Sequence, residues 1–219
     1  MIQLSGVSKF YPTRSGPAPV FTGVDLTVGR HEHLGIMGRN GAGKSTLIRL
    51  IGGAEMPTAG RIERTMSVSW PLAFGGGFQP SLTGLDNLRF ICRIYAVDFA
   101  ERLEYVREFT GLGRYLREPV RVYSSGMRAK LAFAISMAID FDCFLVDEIV
   151  AVGDVTFQRK SQEELYNKRQ SRAMVLVSHD HAYLRDNCSQ FALIDDHRVT
   201  KYDDFEEAYH RYRIMLGLI

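Results

Sequence analysis

The sequence predicts an α/β fold, a mixed and mainly parallel sheet flanked by helices, and three observations carry that prediction. Short apolar runs recur at Leu34–Met37, Cys143–Val146, Met174–Val177 and Phe191–Ile194. Such runs read as buried strands, because a strand covered on both faces need not alternate. Segments with helical apolar spacing separate them, and strand–helix alternation is the pattern of a parallel sheet. Finally, a glycine-rich turn joins the first run to its helix, where a strand-to-helix crossover begins.

Composition bounds the rest. A chain of 219 residues fits one domain, here expected over 1–219 with a helical subdomain at about 84–139. Apolar residues make up 46% and charged residues 24%, as in ordinary globular proteins. With 27 basic against 25 acidic side chains, no basic footprint for nucleic acid or an anionic membrane face is expected. No apolar run approaches the roughly 18 residues of a membrane helix, and the N-terminus lacks the basic and apolar regions of a secretory signal. Cys92, Cys143 and Cys188 are far apart and read as free thiols of a reducing cytosol.

In chain order, the N-terminus reads as short strands broken by a Pro/Gly/Ser loop at 12–19, with Val20–Val28 as a second, alternating strand. Lys44–Ile51 suits a helix closed by Gly52 and Gly53. Leu85–Ala96, Asp98–Phe109 and Gly126–Ile139 carry helical spacing. A polar helix is expected at 157–169, a short strand near Arg198–Tyr202, and a closing helix with Asp203 or Asp204 as its N-cap.

The strongest motif is Gly38–Ser45, GRNGAGKS, a match to GxxxxGK(S/T) between a predicted strand and a predicted helix. Glycines at 38, 41 and 43 allow backbone N–H groups to turn around a phosphate chain. The helix adds its positive dipole end. Lys44 can reach the β- and γ-phosphates, and Ser45 can ligate Mg²⁺. Gly38, Arg39, Asn40, Gly41, Ala42, Gly43, Lys44, Ser45 and Thr46 are the candidate nucleotide-binding loop; by itself it fits kinases, GTPases and ATPases alike.

Asp147 and Glu148 end the strand Cys143–Val146. Asp147 can hold Mg²⁺, and Glu148 can polarise an attacking water as general base. Strands also end in acids that cap the next helix; the upstream phosphate loop favours the catalytic reading. His179 follows Val177 directly and can touch a γ-phosphate. His179 and His181 lack the neighbours a zinc site needs. Ser124-Ser125-Gly126 open a helix, which is either an ordinary cap or a second anion site.

As a set, these residues resemble the nucleotide-binding subunit of ABC transporters, over essentially the whole chain. The resemblance implies a P-loop NTPase core with an antiparallel N-terminal β part and an inserted helical subdomain. It implies ATP and Mg²⁺ as cofactors and Tyr11 as the aromatic under adenine, with Phe10 as its rival. Ser124, Ser125 and Gly126 correspond to the signature, which contacts ATP on the opposite subunit. Asp154 falls in the D-loop, His179 is the switch, and Gln79 is a Mg²⁺ or γ-phosphate contact at an unusual offset. A homodimer formed on ATP binding follows, together with polytopic membrane permease subunits at the cytoplasmic face of a bacterial inner membrane. Nucleic acid is not an expected partner, and the cargo is not contacted directly.

Departures narrow the branch. The signature reads YSSGM rather than LSGGQ, and Ile149 stands where proline is usual. With GGFQ, SLTG and DNLRFICRIY, they look like the ATP-binding subunits of capsular polysaccharide exporters. The end at Ile219 fits that group, since the O-antigen and teichoic acid exporters, which remain alternatives for the cargo, often continue further. A soluble P-loop phosphotransferase explains Lys44 and Asp147 but leaves Ser124–Gly126, Asp154 and His179 without a role. A regulatory or mechanical ATPase of the same superfamily would carry two such domains or a long coiled coil.

Overall fold

The computed structural model describes residues 1–72, 78–147, 155–167 and 170–219. Candidate residues Glu148 and Asp154 lie outside them. The chain forms two compact units, one of Met1–Pro71, the strand after Phe141 and Ser171–Ile219, the other of Leu72–Asp140 and the described part of 149–170. Among the described residues no helix is long and apolar enough to cross a membrane.

The first unit holds two sheets. β1 (Ile2–Thr13) and β2 (Gly16–Val28) form an antiparallel hairpin, and β4 (Ala59–Arg64) pairs with the other edge of β1. The proline-rich segment 12–19, read from sequence as a loop, is therefore mostly strand. Only Arg14 and Ser15 turn the chain, while Pro12 faces Pro17 across the ladder. Prolines are tolerated because β2 is an edge strand, and β4 accompanies β1 only as far as Ser8.

The larger sheet runs β5 (Val68–Pro71), β6 (Cys143–Asp147), β7 (Ala173–Val177), β3 (His33–Gly38), β8 (Gln190–Asp195) and β9 (Arg198–Tyr202). All neighbours are parallel except β8 and β9. Strands β6, β7 and β3 are almost wholly buried and apolar, as the short runs predict. Register then aligns their ends: Asp147 lies beside Val177, and Val177 beside Ile36. The chain after each of these strands thus leaves from one edge, the carboxyl edge at which open α/β sheets bind ligands.

Helix α1 (Lys44–Gly52) buries Leu47, Ile48, Leu50 and Ile51 in a core shared by both sheets, with Leu4, Val24 and Leu26 from one and Ile36, Leu145 and Val175 from the other. Each such side chain removed from water contributes roughly 1.5–3 kcal/mol. The helix end is close-packed: a Cβ added to Gly52 would come within 2.8 Å of Leu145 Cδ1. Gly53, at φ 76, supplies the left-handed C-cap. The unit closes with α6 (His181–Asn187) and α7 (Phe205–Met215), the latter capped by Asp204.

The second unit is helical, with α2 (Gly84–Ile94), α3 (Phe99–Thr110), α4 (Ser125–Ala138) and α5 (Val155–Gln162). The expected polar helix at 157–169 becomes α5 followed by a π-helical turn, Glu163–Asn167. Thr83, Asp98 and Ser124 cap α2, α3 and α4. Phe109 is the packing centre: its ring lies 5.5 Å from Tyr105, 5.6 Å from Phe133 and 5.4 Å from Phe157. Such aromatic pairs add about 0.5–1.5 kcal/mol beyond their burial.

Candidate nucleotide site

The glycine loop between β3 and α1 is built from backbone conformations that disfavour other residues. Gly41 and Gly43 have φ 80 and 105, in the left-handed region open to glycine. At Gly43 a side chain also has no room, since an added Cβ would sit 2.6 Å from Val20 Cγ1 and 2.8 Å from Phe21 Cζ. Ala42 N donates to the Arg39 carbonyl at 3.1 Å, closing the turn.

Helix α1 starts at Gly43 without a side-chain cap and with no acidic residue in its first turn. Nothing from its own side chains competes for the N-terminal N–H groups or cancels the dipole there, so an anion can take both. Lys44 is 9% exposed, and its ammonium donates to the carbonyls of Gly38 (2.9 Å) and Arg39 (3.1 Å). These contacts hold the ammonium against the loop that would receive a phosphate.

The loop is one wall of a cavity of about 490 Å³ lined by Asn40, Gly41, Gly43, Lys44, Ser45, Thr46, Asp147, Val177 and His179. The three separate sequence signals at 38–46, 147 and 179 therefore meet in one place, at the carboxyl edge set by the β6–β7–β3 register. The segment carrying His179 is pinned on both sides. Asp180 N donates to Ser178 Oγ at 3.0 Å, and Asp180 Oδ1 accepts from Tyr183 N at 3.1 Å, capping α6. The neighbouring His181 ring packs on Tyr212 (4.8 Å) and Tyr209 (5.2 Å) of α7. Burial, and then the charge of His179, lowers the His181 pKa from its usual 6.5. Arg39 and Ala42 face a second cavity of about 510 Å³, with Asp195, Asp196, His197 and Met215.

Tyr11 lies on β1, opposite Ala18. Its hydroxyl donates to Glu55 Oε2 at 2.6 Å, and the Lys9 ammonium lies 5.0 Å from its ring centroid. Glu55 and Arg49, which carry this cluster, escape the sequence reading because no local pattern ties Glu55 to Tyr11, 44 residues away. Phe10 sits opposite Pro19, with its N–H on Thr58 Oγ1.

In the second unit, Ser124 caps α4 by accepting from Met127 N at 3.2 Å, and Ser125 and Gly126 open the helix. Gln79 is held through its backbone: its N–H donates to Asn87 Oδ1 at 2.9 Å, and its carbonyl accepts from Asn87 Nδ2 at 3.2 Å.

Fold and cavity have the form of a P-loop nucleotide-binding protein. Solved structures agree on the fold: the ATP-binding cassette MJ0796, in a dimeric post-hydrolysis state bound to ADP and Pi, matches with TM-score 0.77 at 21% identity, over 93% of this chain and 98% of that one. Residues 21–151 match the ABC transporter family, and the chain belongs to it. Among curated relatives, the capsule polysaccharide export ATP-binding protein CtrD of Neisseria meningitidis serogroup B is 52% identical over 97% of this chain and 98% of its own length. The ATP-binding protein BexA of Haemophilus influenzae is 50% identical over the same shares. The polysialic acid transport ATP-binding protein KpsT of Escherichia coli is 42% identical over 86% and 87%.

Proposed function

We propose that this chain is the ATP-hydrolysing subunit of an exporter that moves capsular polysaccharide across a bacterial inner membrane. It would act at the cytoplasmic face as a homodimer formed on ATP binding and docked to polytopic permease subunits. The observation that carries the ATPase reading is the convergence of Lys44, Ser45, Asp147 and His179 on one cavity. Identity of 52% along almost all of the capsule polysaccharide export protein CtrD, and of 42% to the polysialic acid transport protein KpsT, supports the cargo class.

In this reading the N–H groups of Gly41–Ser45 and the Lys44 ammonium hold the β- and γ-phosphates. Ser45 and Asp147 present hard oxygen donors on one cavity wall, a set that suits Mg²⁺. When bound, that ion neutralises charge between the two terminal phosphates. His179 contacts the γ-phosphate, and Glu148 takes the proton of the attacking water. Ser124, Ser125 and Gly126 reach the ATP of the opposite subunit, so ATP binds more tightly to the closed dimer, and that difference in affinity drives closure. Asp154 serves as the D-loop residue, Gln79 contacts Mg²⁺ or the γ-phosphate, and residues 84–109 transmit closure to the permease.

The test is the Glu148→Gln variant followed by light scattering through an ATP titration. It should accumulate as an ATP-bound dimer, and a monomer at every ATP concentration refutes the scheme. For the cargo, tagged protein recovered from detergent-solubilised membranes should carry a polytopic permease. A permease that exports O-antigen or teichoic acid in reconstituted vesicles would replace capsule as the cargo.

A further inference from the structure

Glu55 makes more ion-pair and hydrogen-bond contacts than any sequence motif assigns to it. It lies two residues beyond the Gly53 cap of α1, with its backbone N–H on the Arg49 carbonyl at 3.2 Å. Its Oε2 accepts from the Tyr11 hydroxyl at 2.6 Å and from the Lys9 ammonium at 3.1 Å. Its Oε1 accepts from Arg49 Nε at 2.6 Å. Arg49 Nη2 in turn donates to Thr46 Oγ1 at 3.2 Å, and Thr46 is a wall of the phosphate cavity. One continuous hydrogen-bonded chain therefore runs Tyr11–Glu55–Arg49–Thr46, from a strand of the antiparallel sheet to the phosphate loop.

The geometry of Tyr11 is fixed by the same carboxylate. Lys9, anchored on Glu55 and on the Met56 carbonyl at 2.9 Å, covers one ring face at 5.0 Å. The hydroxyl is tethered at one end and an ammonium covers one face, which leaves only the opposite face on which a base could stack. Charge-assisted hydrogen bonds are the stronger kind, and here three donors converge on one carboxylate. Without Glu55, Lys9 and Arg49 would face each other as two like charges and the ring would lose its tether.

We infer that Glu55 is a positioning residue for nucleotide binding. It sets the Tyr11 ring at a fixed height and tilt relative to the phosphate loop, so that a purine base and its triphosphate are gripped as one rigid unit. The inference rests on the proposed reading of Tyr11 as the base platform. Glu55 touches neither base nor phosphate; it acts through the Tyr11 ring, with Arg49 as the anchor that fixes the carboxylate.

The experiment compares steady-state ATP hydrolysis in the unmodified protein, Tyr11→Ala, Glu55→Gln, Glu55→Ala and the Tyr11→Ala/Glu55→Ala double variant. Inorganic tripolyphosphate, which has the phosphates but no base, serves as a competitive inhibitor. Glu55→Ala should raise the KM for ATP about tenfold, the size expected for losing charge-assisted hydrogen bonds, while kcat stays put. Glu55→Gln, which keeps one acceptor, should fall between. The double variant should be no worse than Tyr11→Ala, since both act on one platform. Inhibition by tripolyphosphate should stay within about twofold throughout, because the base is the part affected. An ATP KM and a tripolyphosphate constant that rise together would show Glu55 to be a scaffold of the loop and overturn the inference. So would an unchanged KM in both Glu55 variants while Tyr11→Ala raises it. If Tyr11→Ala itself changes nothing, the base platform is wrong and the inference falls with it. Should Glu55→Ala fail to fold, the intermediate KM and unchanged tripolyphosphate constant of Glu55→Gln carry the test.

Discussion

Two helices of this chain open on glycine- and serine-rich turns of the kind that bind phosphate, and they open differently. α1 begins at Gly43, at φ 105, with no side chain on its N–H groups. α4 begins at Ser124, in extended backbone, with the serine Oγ already accepting from Met127 N. The first N-terminus has no side-chain cap, the arrangement an anion site needs. The second has one of its N–H groups taken by its own serine. Ser124 keeps one free capacity, because a hydroxyl that accepts from an N–H can still donate its own proton. On the proposed reading the glycine loop serves binding first, whereas the serine cap serves folding first and a phosphate second.

The largest effect that would break this comparison is expected at Lys44. Lys44→Ala should lower ATP turnover by on the order of 10²-fold or more, as for other groups aimed at developing charge, read as phosphate release. An unchanged rate in purified protein would sink the phosphate-loop assignment. Next comes Gly43→Ala, which places a Cβ against Val20 and Phe21 at a positive φ. It should cost about 2 kcal/mol of stability from crowding and backbone strain together. Gly41→Ala meets no atom within 4 Å and should cost about 1 kcal/mol, from the positive φ alone. Urea midpoints that rank the two the other way would mean that the loop is not packed as described.

Ser124 sharpens the other side. Ser124→Ala should cost about 1 kcal/mol by removing the cap. Ser124→Asp keeps the cap, and its carboxylate suits the helix dipole, so the unfolding midpoint should hold or rise. The same carboxylate repels a phosphate, and ATP turnover should drop. If Ser124→Asp hydrolyses ATP normally, the serine is a cap only.

How much of this was legible in the sequence depends on where each element gets its stability. Strands β3, β6, β7 and β8 are buried on both faces, so their residues alone betray them. β4, Ala59–Arg64, is nearly all exposed, and it is a strand only because β1 pairs with it; no pattern of its own residues marks it. β5 has four residues ending in Pro71, and α6 has seven, too short for periodicity to register. The proline-rich hairpin looks like a loop in sequence because tolerance of proline depends on which strand edge is free. At the site, residues 38–46 were legible because phosphate chemistry demands glycines at fixed spacing. Asp147 and His179 stood out as polar groups ending apolar strands. Glu55 and Arg49 were invisible, since their role is a tertiary contact with Tyr11.

The smallest expected effect is a pH dependence of stability that separates two groups of the α1 unit, Glu55 and His181. Burial alone would raise the Glu55 carboxyl, but hydrogen bonds from Tyr11, Lys9 and Arg49 outweigh it and hold the pKa below the usual 4.5. A carboxyl depressed in the fold contributes stability that is present above 4.5 and lost as pH falls through its folded value. His181 behaves differently. Its pKa is depressed mainly by burial against α7, so as pH drops below 6.5 the unfolded chain takes up a proton before the folded one does. Stability should therefore decline in two stages, first below pH 6.5 and again below 4.5. His181→Phe preserves ring packing against Tyr209 and Tyr212 and should remove the first stage only. Glu55→Gln should remove part of the second, modestly, because Glu55 is partly solvated and Asp142, held low mainly by Ser67 N–H, titrates there too. Urea midpoints measured from pH 8 to 4 would show this. If His181→Phe leaves the slope between pH 7 and 5.5 unchanged, the imidazole is already solvated, and the α7 aromatics do not hold the segment that carries His179.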